Sequence, residues 1–216
     1  MNHKTLFLFV ALLTATIYSC KKDIEPMTPA ISYPNFSQLK VGNYWVYEQF
    51  DISSTGNATS KNIFDSCYVE KDTIINSKIY LRIVRPLYYS QQKEIMFLKD
   101  SLHYIINSNG EILFSSQDFS NVLLSRYVWG GANDTISKVT KQMADKNVIV
   151  TTSAGTFKTS NAKEISLIFP NYVTFTNLRY RNTRYAENIG IVIETLPFLL
   201  ASPNYIERRL VRYHLN

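Results

Sequence analysis

The residues able to do acid–base or nucleophilic chemistry are few and poorly spaced for it. After His3 the histidines are His103 and His214, far apart in the chain, and neither His-x-x-x-His nor a thiol pair occurs, so no zinc site is expected. Serine is common, yet none stands in Gly-x-Ser-x-Gly, and Ser153-Ala154-Gly155 reads as a turn. No phosphate-cradling glycine loop or dinucleotide fingerprint is present, so no metal and no cofactor is expected. Carboxylates remain. Glycosidase-like hydrolysis needs two of them about 5–9.5 Å apart, one kept protonated by its surroundings. Glu48, Asp65, Glu70, Glu94, Glu164, Glu187 and Glu194 could supply such a pair on adjoining strands. Glu187 is the least arbitrary, because it lies in an apolar-aromatic block just before Gly190. A turn carboxylate or a salt-bridge partner explains it more simply, and no residue is assigned a catalytic role.

The most informative residue is Cys20, which closes Thr16-Ile17-Tyr18-Ser19-Cys20 behind a mostly apolar run from Leu6 to Ile17 and a weakly basic Asn2-His3-Lys4. That is the layout of a secretory signal, too short to cross a bilayer as a stable helix. The run ending in cysteine resembles a lipobox, with Tyr18 bulkier than the usual occupant. The resemblance implies that residues 1–19 are a signal peptide, that Cys20 carries a diacylglycerol thioether, and that the chain is lipid-anchored in a bacterial outer membrane. Residues 20–34, with Pro26, Pro29 and Pro34, read as an extended tether, and residues 35–216 as one β-rich domain. Lys21-Lys22-Asp23-Ile24-Glu25 resembles the charged tethers of Bacteroides and Flavobacterium lipoproteins, leaving open whether the body faces the periplasm or the cell surface.

An acylated Cys20 leaves Cys67 without a disulfide partner. Cys67 alternates with Ile63 and Val69 and is expected to be a buried small hydrophobe. The formal charge is +6, spread along the chain, and a nucleic-acid partner is not expected in the envelope. Arginines do gather late. Arg179 and Arg181 share strand parity and, with Arg209, are the expected ligand-binding residues, able to meet lipid phosphate or an acidic glycan. A solvated sheet face is the simpler alternative.

Tyr, Phe, Ile, Val and Thr dominate the body, and sustained 3.6-residue periodicity is absent. Strands are expected over 44–50, 62–71, 78–84, 94–99, 102–106, 111–114, 147–152, 156–159, 164–169, 172–185, 191–196 and 205–214, with Gly- and Asn-bearing turns between them. Residues 36–41 read as a turn or short helix, and 118–127 as a short helix or a strand. The sum is a mostly β fold: a large curved antiparallel sheet or partly open barrel, with room for a small covering helix, and a β-sandwich as the competing layout.

Leu39-Lys40-Val41-Gly42-Asn43-Tyr44-Trp45-Val46-Tyr47, Asp72-Thr73-Ile74-Ile75-Asn76, Ala154-Gly155-Thr156-Phe157 and Tyr185-Ala186-Glu187-Asn188-Ile189-Gly190-Ile191-Val192 resemble, in that order, recurring blocks of uncharacterised Bacteroidetes lipoproteins. The resemblance implies a cell-envelope β protein and brings no activity with it. The expected function is therefore a non-catalytic envelope lipoprotein, its partners a membrane reached through Cys20 and an amphipathic ligand, a glycan or an envelope protein. A module of a periplasmic or surface assembly and a carboxylate-dependent hydrolase of glycan or lipid are the alternatives.

Overall fold

The computed structural model describes residues 32–88, 90, 92–131, 134–173, 177–198 and 205–216. Cys20 and most of the expected tether lie outside these residues. Tyr33–Asn216 forms one compact unit. Its strands are β1 (Tyr44–Ile52), β2 (Ala58–Ile75), β3 (Lys78–Pro86), β4 (Lys93–Ser101), β5 (Tyr104–Asn107), β6 (Ile112–Ser115) and β7 (Val122–Gly131). They continue with β8 (Asp134–Met143), β9 (Val148–Thr152), β10 (Gly155–Ile168), β11 (Leu178–Ala186), β12 (Gly190–Pro197) and β13 (Tyr205–His214).

All belong to one antiparallel sheet ordered β6-β5-β4-β3-β2-β1-β13-β12-β11-β10-β8-β7, with β9 beside the first half of β10. Apart from the β1–β13 closure and the β8–β10 pairing, strands adjacent in the sheet are consecutive in the chain. The sheet curls until its ends, β6 and β7, approach one another without a ladder, so the expected partly open barrel is the fold, with one unsealed seam. Side chains close one end of that seam. Phe114 of β6 packs on Tyr185 of β11 with ring centroids 4.4 Å apart and on Phe36 at 4.9 Å, and the Ser115 N–H donates to Met143 Sδ of β8 at 3.4 Å.

The strands differ from expectation in instructive places. Among the described residues there is no helix; 118–121 is a turn whose Asp118 carboxylate accepts from the Asn121 backbone, and the strand begins at Val122. The sequence pattern does not single out β8, because its inward positions Ser137, Val139, Lys141 and Met143 mix polar and apolar side chains. The expected 156–159 and 164–169 are one strand, β10, whose middle residues Ser160, Asn161 and Ala162 are buried although small or polar. Conversely, among the described residues of the run 172–185, the strand begins at Leu178.

Two of the sequence blocks meet in space. Trp45 Nε1 donates to the Ile189 carbonyl at 2.6 Å, and the Tyr47 hydroxyl donates to the Ile191 carbonyl at 2.9 Å. Gly190 has a φ of +100° and lies against the indole, so a Cβ there would come within 3.3 Å of Trp45 ring atoms. Segments on either side of the strands are tied to the same end of the barrel: the Asn216 N–H donates to Asn43 Oδ1 at 2.8 Å, and Ser37 Oγ donates to Asp100 at 2.6 Å. Gly190→Ala combines a left-handed φ with a crowded Cβ, and urea titration is expected to show a loss of about 1–3 kcal/mol.

Candidate functional site

Alternate residues on these strands face the barrel interior, and at one level eight of the thirteen strands present charged groups of alternating sign. Cross-strand register creates the series. Lys141 of β8 stands opposite Glu164 of β10, and Glu164 stands opposite Arg181 of β11. Arg181 reaches diagonally to Glu194 of β12, and Glu194 stands opposite Arg208 of β13. Arg208 stands opposite Gln49 of β1 and donates from Nε to Asp65 of β2 at 2.5 Å, while Gln49 Nε2 donates to the same carboxylate oxygen at 2.7 Å. Arg85 of β3 then donates from Nε to Glu94 of β4 at 2.8 Å. A belt of like-facing, opposite charges thus runs around the interior.

Glu194 is its centre. The residue is 4% exposed; Arg85 Nη1 lies 3.0 Å from one carboxylate oxygen, Arg181 Nη2 donates to the other, and Arg208 Nη1 is 3.8 Å away. Burial opposes ionisation of Glu194, but Arg85, Arg181 and Arg208 overcome it and hold the carboxyl well below the usual range. Arg85 is held firmly protonated: burial disfavours its charge, and Glu194 with Glu94 more than restores it. Lys141 differs. Burial lowers its pKa, and Glu164, 3.5 Å away, offsets that only partly. Arg208 is further fixed by donating from Nη2 to the Pro86 carbonyl at 2.7 Å and by the Tyr88 ring, 3.7 Å from its guanidinium carbon.

Between the belt and the seam lies a cavity of about 380 Å³. Arg85, Arg181, Glu194, Lys141 and Glu164 form its charged side; Met96, Leu98, Leu113, Leu124, Tyr185 and Ile191 supply apolar lining. Asn109 of the β5–β6 turn and Arg126 of β7 are exposed lining residues, so the cavity meets solvent beside the seam. Its position follows from strand length: β5 and β6 have 4 residues each, whereas β4 has 9 and β7 has 10, so the short hairpin covers only part of the wall between its longer neighbours.

The expected site residues fall in three different places. Arg181 lines the cavity. Arg179, on the same face, is buried and donates from Nε to the Phe198 carbonyl at 3.0 Å. Arg209 faces outward, where it donates from Nε to Glu207 at 2.7 Å and lies 4.5 Å from the Phe50 ring centroid. Its neighbour Arg208 is the inward residue. Parity signals this: Ile206, Arg208 and Leu210 form one alternating set, and both apolar members are buried. The same sign marks Arg85 after Leu81 and Ile83, and Glu94 before Met96 and Leu98.

Among the carboxylates singled out for hydrolysis, Asp65, Glu94, Glu164 and Glu194 join the belt. Glu48 accepts from Ser60 Oγ, Glu70 pairs with Arg82, and Glu187 is exposed in the β11–β12 turn. Glu194 carries the opposite perturbation to a general acid. Burial pushes the Cys67 thiol up to about 11, in keeping with a packing role. Among the described residues no group of three or more His, Cys, Asp or Glu could hold a metal ion.

No family model matches this chain, and no curated protein does. Two solved structures are similar to it. One, described as exported and of YmcC-like fold, from Bacteroides fragilis, is 14% identical over 84% of this chain and 100% of its own, with a TM-score of 0.49. The other, described as a lipoprotein, from Parabacteroides distasonis, is 16% identical over 85% and 100%, with a TM-score of 0.46. These likenesses assign this chain neither a ligand nor an activity.

Removing one member of a buried ion group leaves the others uncompensated, so Glu194→Gln is expected to cost about 3–5 kcal/mol in urea unfolding. Glu194 has its pKa depressed on folding from 4.5, so its contribution is fully present above that value and is lost as pH falls towards the folded one. The wild-type midpoint is therefore expected to drop between about pH 5 and pH 3, and the Glu194→Gln midpoint to drop less. Iodoacetamide at neutral pH is expected to leave Cys67 of the folded protein unmodified and to alkylate it in urea.

Proposed function

We infer that this chain is a non-catalytic envelope protein whose barrel holds a small amphipathic molecule, the whole being tethered to a membrane by a lipid on Cys20. The observation that carries the binding part is the interior cavity. Its volume of about 380 Å³ lies in the range of small-molecule sites, and it sets apolar side chains beside fixed charges. A belt that already pairs its own charges costs little reorganisation when a polar group arrives, which suits retention rather than turnover.

The anchor rests on the sequence. Residues 1–19 would be removed, Cys20 acylated, and residues 20–34 would link the lipid to the body that starts at residue 35. The described chain suits this geometry, because Tyr33, Phe36 and Ser37, near its start, lie against the His103 ring, the Phe114 ring and the Asp100 carboxylate. A pull on the tether would therefore reach the barrel wall and not a free strand end.

A second reading, a module of a larger assembly, draws on the outer surface. Ile74 and Ile79 stand opposite one another near the tip of the β2–β3 hairpin and are 73% and 61% exposed. Such a pair fits a partner surface, although its area is small.

Two measurements test the reading. Membrane fractions of bacteria expressing the full chain are expected to yield a mature protein whose mass includes a diacylglycerol thioether on Cys20, and Cys20→Ala is expected to release it to the soluble fraction; an unmodified cysteine refutes the anchor. A fluorescent apolar probe should bind the barrel stoichiometrically, and Leu124→Trp, which narrows the cavity, should weaken that binding at least tenfold, about 1.4 kcal/mol. Equal binding by wild type and Leu124→Trp refutes the cavity as the site.

A further inference from the structure

The cavity lining is balanced in charge and unbalanced in hydrogen bonding. Four cations, Arg85, Arg126, Lys141 and Arg181, face four carboxylates, Glu94, Glu111, Glu164 and Glu194. A carboxylate only accepts, whereas each guanidinium carries five N–H donors and each ammonium three. The carboxylates are engaged. Glu194 receives Arg85 and Arg181, Glu94 receives Arg85, and Glu111 accepts from Asn107 Nδ2 at 2.7 Å. Glu164 lies between two cations, opposite Lys141 on one side and Arg181 on the other.

The donors are in surplus, and they lie on one wall. Arg181 gives an Nη2 donor to Glu194, forms no other ion pair among the described residues and lines the cavity. Lys141 has Glu164 at 3.5 Å as its ion partner and the apolar Leu124 opposite on β7. Burial depresses its pKa despite Glu164, the mark of an ammonium short of solvation. Arg126, exposed and on the same wall, forms no ion pair among the described residues. A neutral or cationic guest would leave these donors unmatched in a site where water is displaced, and an anion would complete them.

Resting on the cavity reading above, we propose that Lys141 and Arg181, with Arg126 at the mouth, form an anion subsite that selects a small acidic amphiphile. Its carboxylate, sulfate or phosphate bridges Lys141 and Arg181, and its apolar part packs on Leu98, Leu113, Leu124 and Tyr185. No bond is made or broken. Selectivity lies in the charged hydrogen bonds, and the apolar contacts are shared by any guest of that shape.

The test is isothermal titration calorimetry of the full chain with octanoate, octyl phosphate, inorganic phosphate, octanol and octylammonium. Octanoate and octyl phosphate are expected to bind at least about tenfold more tightly than octanol and octylammonium, the increment of one charged hydrogen bond or more. The two acids separate the sources: tighter octyl phosphate points to a phosphorylated lipid fragment, tighter octanoate to a free fatty acid. Lys141→Met is expected to weaken octanoate by about ten- to a hundredfold and to leave octanol unchanged. Arg126→Ala changes an exposed residue without risk to the fold, and is expected to weaken octanoate severalfold and octanol not at all. Octanol as tight as octanoate, or inorganic phosphate as tight as octyl phosphate, overturns the acidic-amphiphile subsite and leaves the cavity reading standing. Failure of every probe to bind overturns the cavity reading itself.

Discussion

The interior of this barrel depends on one constraint: charges taken from water must meet opposite charges on the next strand. Isolated, any of Arg208, Glu194 or Asp65 would be too costly to bury. Arranged on adjoining strands they form a series in which each cation touches a carboxylate, from Lys141 and Glu164 through Arg181, Glu194, Arg208 and Asp65 to Arg85 and Glu94. An all-apolar interior would be at least as stable in free energy. What the belt adds is register. Because side chains alternate along a strand, a slip of one residue would turn Arg208 outward, point Arg209 inward and leave Glu194 facing the wrong partner.

The belt also explains why the barrel is hollow on one side. Above it, towards Asn43 and Asn216, Trp45, Tyr47, Val69, Ile83 and Leu210 pack into an apolar cluster, and Phe114, Met143, Ala162 and Tyr185 into a second that bridges the seam. At the belt itself the side chains are long, stand in fixed ion-paired poses, and do not fill the space that the short β5–β6 hairpin leaves between β4 and β7. Packing closes the seam where aromatic residues are available and leaves it open where arginine and glutamate face inward. The cavity is thus a product of strand length and charge together.

Much of the fold could be read from the sequence, because short runs rich in Val, Ile, Tyr and Phe are separated by turns that Gly190, Gly155 and Gly110 mark. The blocks around Trp45 and Gly190 stood out as sequence, and their contact supplies the physical reason. β8 is hidden by its polar inward residues, and the gap between the expected strands 156–159 and 164–169 is spanned by Ser160, Asn161 and Ala162, buried where the neighbour of β10 changes from β9 to β8. The site was harder to see. Clustering by composition drew attention to Arg179, Arg181 and Arg209, whereas the membership that matters is face by face: Arg208 continues Ile206 and Leu210, while Arg209 pairs outside with Glu207. No local pattern reveals that Lys141 and Arg181 share Glu164, since that depends on register across three strands.

Desolvated and sharing partners, the charges of the belt act as a coupled unit inside the folded barrel. A double-mutant cycle between Glu194 and Arg181, using Glu194→Gln, Arg181→Gln and the double variant in urea unfolding, measures that coupling directly. A coupling energy of at least about 1.5 kcal/mol is the result predicted for a desolvated pair. A value within about 0.5 kcal/mol of zero, as for independent sites, would contradict it.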